Sequence, residues 1–279
     1  MSEKLSKKID FEKLLQTSIS VPLVHIDRED FLQRELKKYC TDDVIKAAIE
    51  YNPAYAGISA DIINKIADSC INYETLKVSS ISFASGLLGG FAIAATIPAD
   101  LTQYYAHILR IMQKLTYLYG WQNLIGNKEQ IDDETSQLLT LFTGVMFGVK
   151  GATSVVTKLS ASMAQRISKT LASKALTEGV IYPIVKKVAT ILGVKMTKEI
   201  FAKSVSKIIP VAGGVISGGI TFISYRPMSV KFKKYLSGLD LANVDYYNDL
   251  RKRQSNGYEQ PEIIDVDFSD IEIEGFEEE

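Results

Sequence analysis

The sequence predicts an all-α fold, a compact multi-helix domain with glycine-rich central helices and a disordered acidic C-terminal tail. Three observations carry this. Strand-like alternation is nearly absent, since only Ile19 to Ile26 alternates, and Pro22 interrupts it. Apolar residues recur at helical spacing, and capping residues punctuate them. Three uncharged runs, 78–99, 135–149 and 208–225, each carry two glycines four residues apart. These are Gly86 and Gly90, Gly144 and Gly148, and Gly214 and Gly218. On a helix that spacing puts both glycines on one face, where a second helix can approach closely, from the same chain or from another copy in a homo-oligomer.

Residues 1–26 read as an extended lead-in, 27–253 as the helical domain and 254–279 as the tail. Asp27 is placed to cap a helix to about Tyr39, with acids in its first turn and lysines in its last. Thr41 is placed to cap the next helix, ending before Asn52 and Pro53. Ser59 opens a third, with Ile62, Ile63, Ile66 and Cys70 as its apolar stripe. A long helix from about Leu101 stops at Gly120, a candidate C-terminal cap. Further helices are expected at about 133–149, 151–180, 182–192, 197–208 and 208–225, then two short closing helices at 228–237 and 242–253.

The near-neutral net charge of −1 hides a segregation. Residues 135–237 hold 15 bases and two acids, whereas the last 21 residues hold ten acids and no base. Lys158, Arg166, Lys169, Lys186, Lys187, Lys203 and Lys207 are the candidate contacts to anionic lipid or an acidic partner protein. Lysine dominates this set and no nucleic-acid-binding signature accompanies it, which disfavours nucleic acid. The run 78–99 is long enough for a bilayer core of roughly 30 Å. Fourteen of its residues are Ala, Gly, Ser, Thr or Pro, so tight packing in a helical core is favoured over stable spanning. Reversible insertion, or lying in the interface, stands between the two.

Two cysteines in unrelated surroundings point to a reducing compartment, and the charged N-terminus has no apolar stretch of signal-peptide length. The expected location is the cytoplasm, or the inner membrane if the glycine-rich helices engage it. Cys40, beside Lys37 and Lys38, is the candidate for a depressed thiol pKa, and Cys70 reads as a buried hydrophobe. Two histidines and two cysteines leave no zinc spacing, and no phosphate-binding or dinucleotide glycine motif is present, so no metal or cofactor is implied. The best polar constellation pairs Asp100 with His107 on one helical face, with Gln103, Tyr104, Arg110 and Lys114 near it. A capping role for Asp100, ahead of Gln103, explains that residue more simply than catalysis.

The segment 84–100, ending Ile97-Pro98-Ala99-Asp100 and followed by the helix to Tyr119-Gly120, resembles the EcsC family of bacterial proteins. A second glycine-rich block, 209–219, leading to Phe232 and Tyr235, is similar to that family's second block. Together they bracket roughly residues 42–239. The resemblance implies a helical, cytosolic or membrane-associated protein of envelope or transport physiology, and supplies no reaction. The expected function is therefore non-enzymatic: a peripheral or inducibly inserting membrane protein, or a membrane-disrupting effector. The alternative is a soluble hydrolase or ligand-binding domain with its pocket around Asp100 and His107.

Overall fold

The computed structural model describes residues 10–79, 99–125, 131–168, 181–195, 217–256 and 271. Among them stand ten α-helices and no strand, packed around one apolar core. The helices are α1 (Phe11–Ile19), α2 (Arg28–Leu36), α3 (Asp42–Glu50), α4 (Ala60–Ser79) and α5 (Ala99–Leu118). Then follow α6 (Asp133–Met146), α7 (Ala152–Ser168), α8 (Tyr182–Lys195), α9 (Ser217–Leu236) and α10 (Val244–Ser255). A single 3-10 turn, Asp240–Ala242, joins the last two.

Helix α5 is the centre, because its sequence is apolar on nearly every side. Tyr105, Ile108, Leu109, Ile111, Met112, Leu115 and Tyr117 are all buried. It packs against α1, α2, α4 and α9. Helix α6 forms a second hub for α7, α8 and α9. The stripe of α4 behaves as read, since Ile63, Ile66 and Cys70 are buried and Ile62 is half-buried.

Caps set most of the boundaries. Asp27 accepts a hydrogen bond from the Asp30 N–H at 2.8 Å, and Asp132 accepts one from Thr135 at 2.9 Å. Thr41 occupies the N-cap position of α3 without a side-chain cap bond. Gly120, at φ +99°, closes α5: Trp121 N–H reaches the Thr116 carbonyl and Gly120 N–H the Tyr117 carbonyl. That is a Schellman pair of bonds, and glycine accepts its left-handed φ without a Cβ penalty.

Several expectations are corrected. Residues 11–19, read as extended lead-in, form α1, capped by Asp10 and burying Phe11, Leu14, Leu15 and Ile19. The extended stretch is confined to residues 24–27. There Gln113 substitutes for a neighbouring strand, accepting from Ile26 N–H and donating to the Val24 carbonyl. Residues 217–236, read as two elements broken near Pro227, form one helix with Pro227 inside it. Packing against α4, α5 and α6 offsets the hydrogen bond that proline removes.

The glycine pair 144 and 148 does not share a helical face. Gly148 lies beyond α6 at φ +68°, with Val149 N–H bonded to the Gly144 carbonyl and Gly148 N–H to Val145. It is a C-terminal cap. Gly144 does make the close approach: a Cβ there would stand 2.8 Å from Ala152 Cβ and from Val188 Cγ1. Gly86, Gly90 and Gly214 lie outside the described residues, and Gly218 falls in the first turn of α9. The tail, read from residue 254, also lies outside them, apart from residues 254–256, where the last helix ends at Ser255, and Ile271, which is half-buried against the core. Among the described residues no helix is long and apolar enough to cross a membrane.

Candidate functional site

A charged cluster at the α4–α5 contact forms the floor of a cleft. Glu74 continues the α4 stripe one turn past Cys70, and its side chain is fully buried. Three residues of α5 converge on it, spaced so that they share one face: His107, Arg110 and Lys114. Lys114 Nζ lies 2.5 Å from Oε1, and Arg110 Nη2 lies 3.2 Å from the same oxygen. His107 Nδ1 stands 3.9 Å from Oε2, an ion-pair distance when the ring is protonated. Burial opposes ionisation of Glu74, yet the facing imidazole, ammonium and guanidinium outweigh it and hold the carboxyl far below its usual range.

Above this floor opens a cleft of about 590 Å³ between α2, α4 and α5. Its α2 side carries Asp27, Asp30 and Glu35, together with Arg34, which pairs with Glu35 at 3.1 Å. Its α4–α5 side carries Lys77, Arg110 and Lys114. The exposed Tyr73 ring has two ammonium groups within cation–π reach, with Lys77 Nζ 4.6 Å and Lys114 Nζ 5.2 Å from its centroid. The hydrogen bond and charge of Lys77 lower its phenol pKa.

Cys70 also lines this cleft, and burial pushes its thiol up to about 12. Cys40 departs from its expected reactivity, because burial raises its thiol pKa despite the nearby lysines. Both shifts disfavour the thiolate form. Among the described residues no group of three or more His, Cys, Asp or Glu is placed to hold a metal ion.

Of the constellation expected around Asp100, the structure describes the side chains of Tyr104, His107, Arg110 and Lys114, and the last three meet at Glu74. His107 and Arg110 turn to Glu74, while Tyr104 packs edge-on against Tyr225, whose hydroxyl donates to the His107 carbonyl. Of these, Arg110 lines the cleft, whereas Tyr104 and His107 do not. Asp100 is the second residue of α5, and the carboxylate role assigned to it lies outside the described side chains.

Of the candidate lipid contacts, Lys186 and Lys187 are exposed on α8, beside an exposed Tyr182. Lys158 and Arg166 are half-buried on α7, and Lys169, Lys203 and Lys207 lie outside the described residues. Arg226, Lys231 and Lys234 add exposed positive charge along α9, whereas Lys233 is engaged by Asp68 at 2.8 Å.

Sequence reading passed over Glu74 and Arg28, although Glu74 carried a signal as an acid in register with Ile66 and Cys70. Arg28 follows the Asp27 cap and is almost wholly buried. Its guanidinium donates to the carbonyls of Ala48 and Ile49, which end α3, and to that of Trp121 after α5. Desolvation lowers its pKa to about 10. Comparison with family models, curated proteins and solved structures gives no match for this chain.

Proposed function

We propose that this is a non-enzymatic helical protein that binds anionic membrane surfaces peripherally, in the manner the EcsC-like motifs imply for bacterial envelope or transport physiology. The observation that carries the reading is the exposed basic set on α8 and α9, Lys186, Lys187, Arg226, Lys231 and Lys234, within a segment of 15 bases and two acids. Each such charge near an anionic leaflet contributes about 1 kcal/mol. The exposed Tyr182 beside Lys186 and Lys187 supplies the amphipathic ring that interfacial helices favour. The expected location is cytoplasmic, at the inner leaflet.

Sedimentation with vesicles of phosphatidylglycerol, against neutral phosphatidylcholine, tests the reading. Retention on anionic vesicles alone, released by salt as screening shortens to about 8 Å at physiological strength, supports electrostatic binding. The double variant Lys186→Glu/Lys187→Glu is expected to weaken retention tenfold or more. Equal retention on both lipids, or none on either, overturns it.

A further inference from the structure

The cleft above Glu74 has two walls of opposite sign. Asp27, Asp30 and Glu35 belong to α2 and its cap, whereas Lys77, Arg110 and Lys114 project from α4 and α5. Arg34 is matched by Glu35 within the first wall. In the second, Arg110 and Lys114 share the single carboxylate of Glu74, which leaves an excess of positive charge. Those two cations are only 12% and 7% exposed, so the excess sits where water screens it poorly. An anionic group entering the cleft would offset it through charge-assisted hydrogen bonds. The same group carrying no cation would face the carboxylates of α2 uncompensated. A purely cationic ligand would meet the converse penalty.

We propose that this cleft binds a compact zwitterion: an ammonium held by Asp27 and Asp30, joined by a short linker to a phosphate or carboxylate held by Lys77, Arg110 and Lys114. The volume of about 590 Å³ lies within the range of small-molecule sites. A free metabolite and a phospholipid headgroup share this chemistry. The inference stands apart from the basic faces of α8 and α9, because it uses none of their residues.

Titration calorimetry of the full-length protein with O-phosphoethanolamine tests it, with inorganic phosphate and ethanolamine as comparators. The expected result is single-site binding of phosphoethanolamine, at least tenfold tighter than either fragment. Lys77→Ala and Asp30→Asn should each weaken it fivefold or more at an unchanged unfolding midpoint, Lys77→Ala leaving ethanolamine binding unaltered and Asp30→Asn that of phosphate. Absence of saturable binding in the millimolar range overturns the proposal. So does phosphate binding as tightly as phosphoethanolamine, since the α2 wall would then contribute nothing. Vesicles of phosphatidylethanolamine separate the sources: retention competed by phosphoethanolamine assigns the headgroup, and a lack of competition assigns the free compound. Loss of phosphatidylglycerol binding in the Lys186→Glu/Lys187→Glu variant would leave this titration unchanged.

Discussion

Lys114 Nζ lies 2.5 Å from Glu74 Oε1, and this contact ties α5 to α4 where both side chains are buried. A buried pair of this kind is costly to form and costlier to break, because the remaining partner keeps its charge without compensation. Glu74→Gln should therefore destabilise the protein by about 3–5 kcal/mol, read from its urea midpoint. The double variant Glu74→Gln/Lys114→Met should cost less than the single one. A larger loss in the double variant would mean that Arg110 and His107, not Lys114, dominate the cluster.

The same carboxyl gives stability a pH dependence. Its folded pKa lies below the ordinary value of 4.5, so ionised Glu74 contributes stability above that pH. The contribution declines as pH falls below it, toward the folded pKa. The wild-type midpoint should drop over this acid range more steeply than that of Glu74→Gln, which lacks the titrating group. Parallel midpoint curves would show that other carboxylates govern acid unfolding.

Arg28 serves as an external cap for α3. Its removal strands the carbonyls of Ala48, Ile49 and Trp121 in a buried setting. Arg28→Met, which keeps much of the stem, should cost about 2–4 kcal/mol. Arg28→Lys should recover only part of that, because one ammonium cannot span the fork of acceptors. Full recovery by lysine, measured by denaturation, would argue that charge alone is needed.

Glycine positions should divide into distinct classes. Gly120→Ala faces both a φ of +99° and a Cβ only 2.7 Å from the Leu241 carbonyl oxygen, so a loss of about 2 kcal/mol or more is expected. Gly148→Ala should cost about 1 kcal/mol, since the obstacle at 3.1 Å is the mobile end of Lys231 and the strain is mainly in φ. Gly144→Leu should overpack α6 against α7 and α8 by about 1–3 kcal/mol. Thermal unfolding of the series should rank Gly148→Ala mildest.

Leu23 holds a position that favours glycine. It follows Pro22 in the turn closed by Val24 N–H on the Val21 carbonyl, with φ +67° and its side chain 69% exposed. Leu23→Gly should relieve backbone strain and raise stability by about 0.5–1 kcal/mol. A fall in the unfolding midpoint would mean that the exposed leucine makes stabilising contacts.

The helical class was legible in the sequence because it rests on local rules. Spacing of Ile63, Ile66 and Cys70, the Asp27 cap and the Gly120 stop each depend on residues within a turn or two, and all appear in the structure. The lysine-rich segment and its exposed members on α8 were legible for the same reason, since charge is written residue by residue. Tertiary contact decided the rest. Glu74 and Lys114 are 40 positions apart, and only the packing of α4 on α5 turns an ordinary surface acid into a buried counter-ion. Pro227 breaks a helix by local propensity, but α9 continues through it where it packs against three neighbouring helices. Gly144 and Gly148 have the spacing of a packing pair, but the chain leaves the helix between them. Their physical roles therefore separate into a close approach and a left-handed cap, a distinction set by where α7 and α8 lie rather than by spacing.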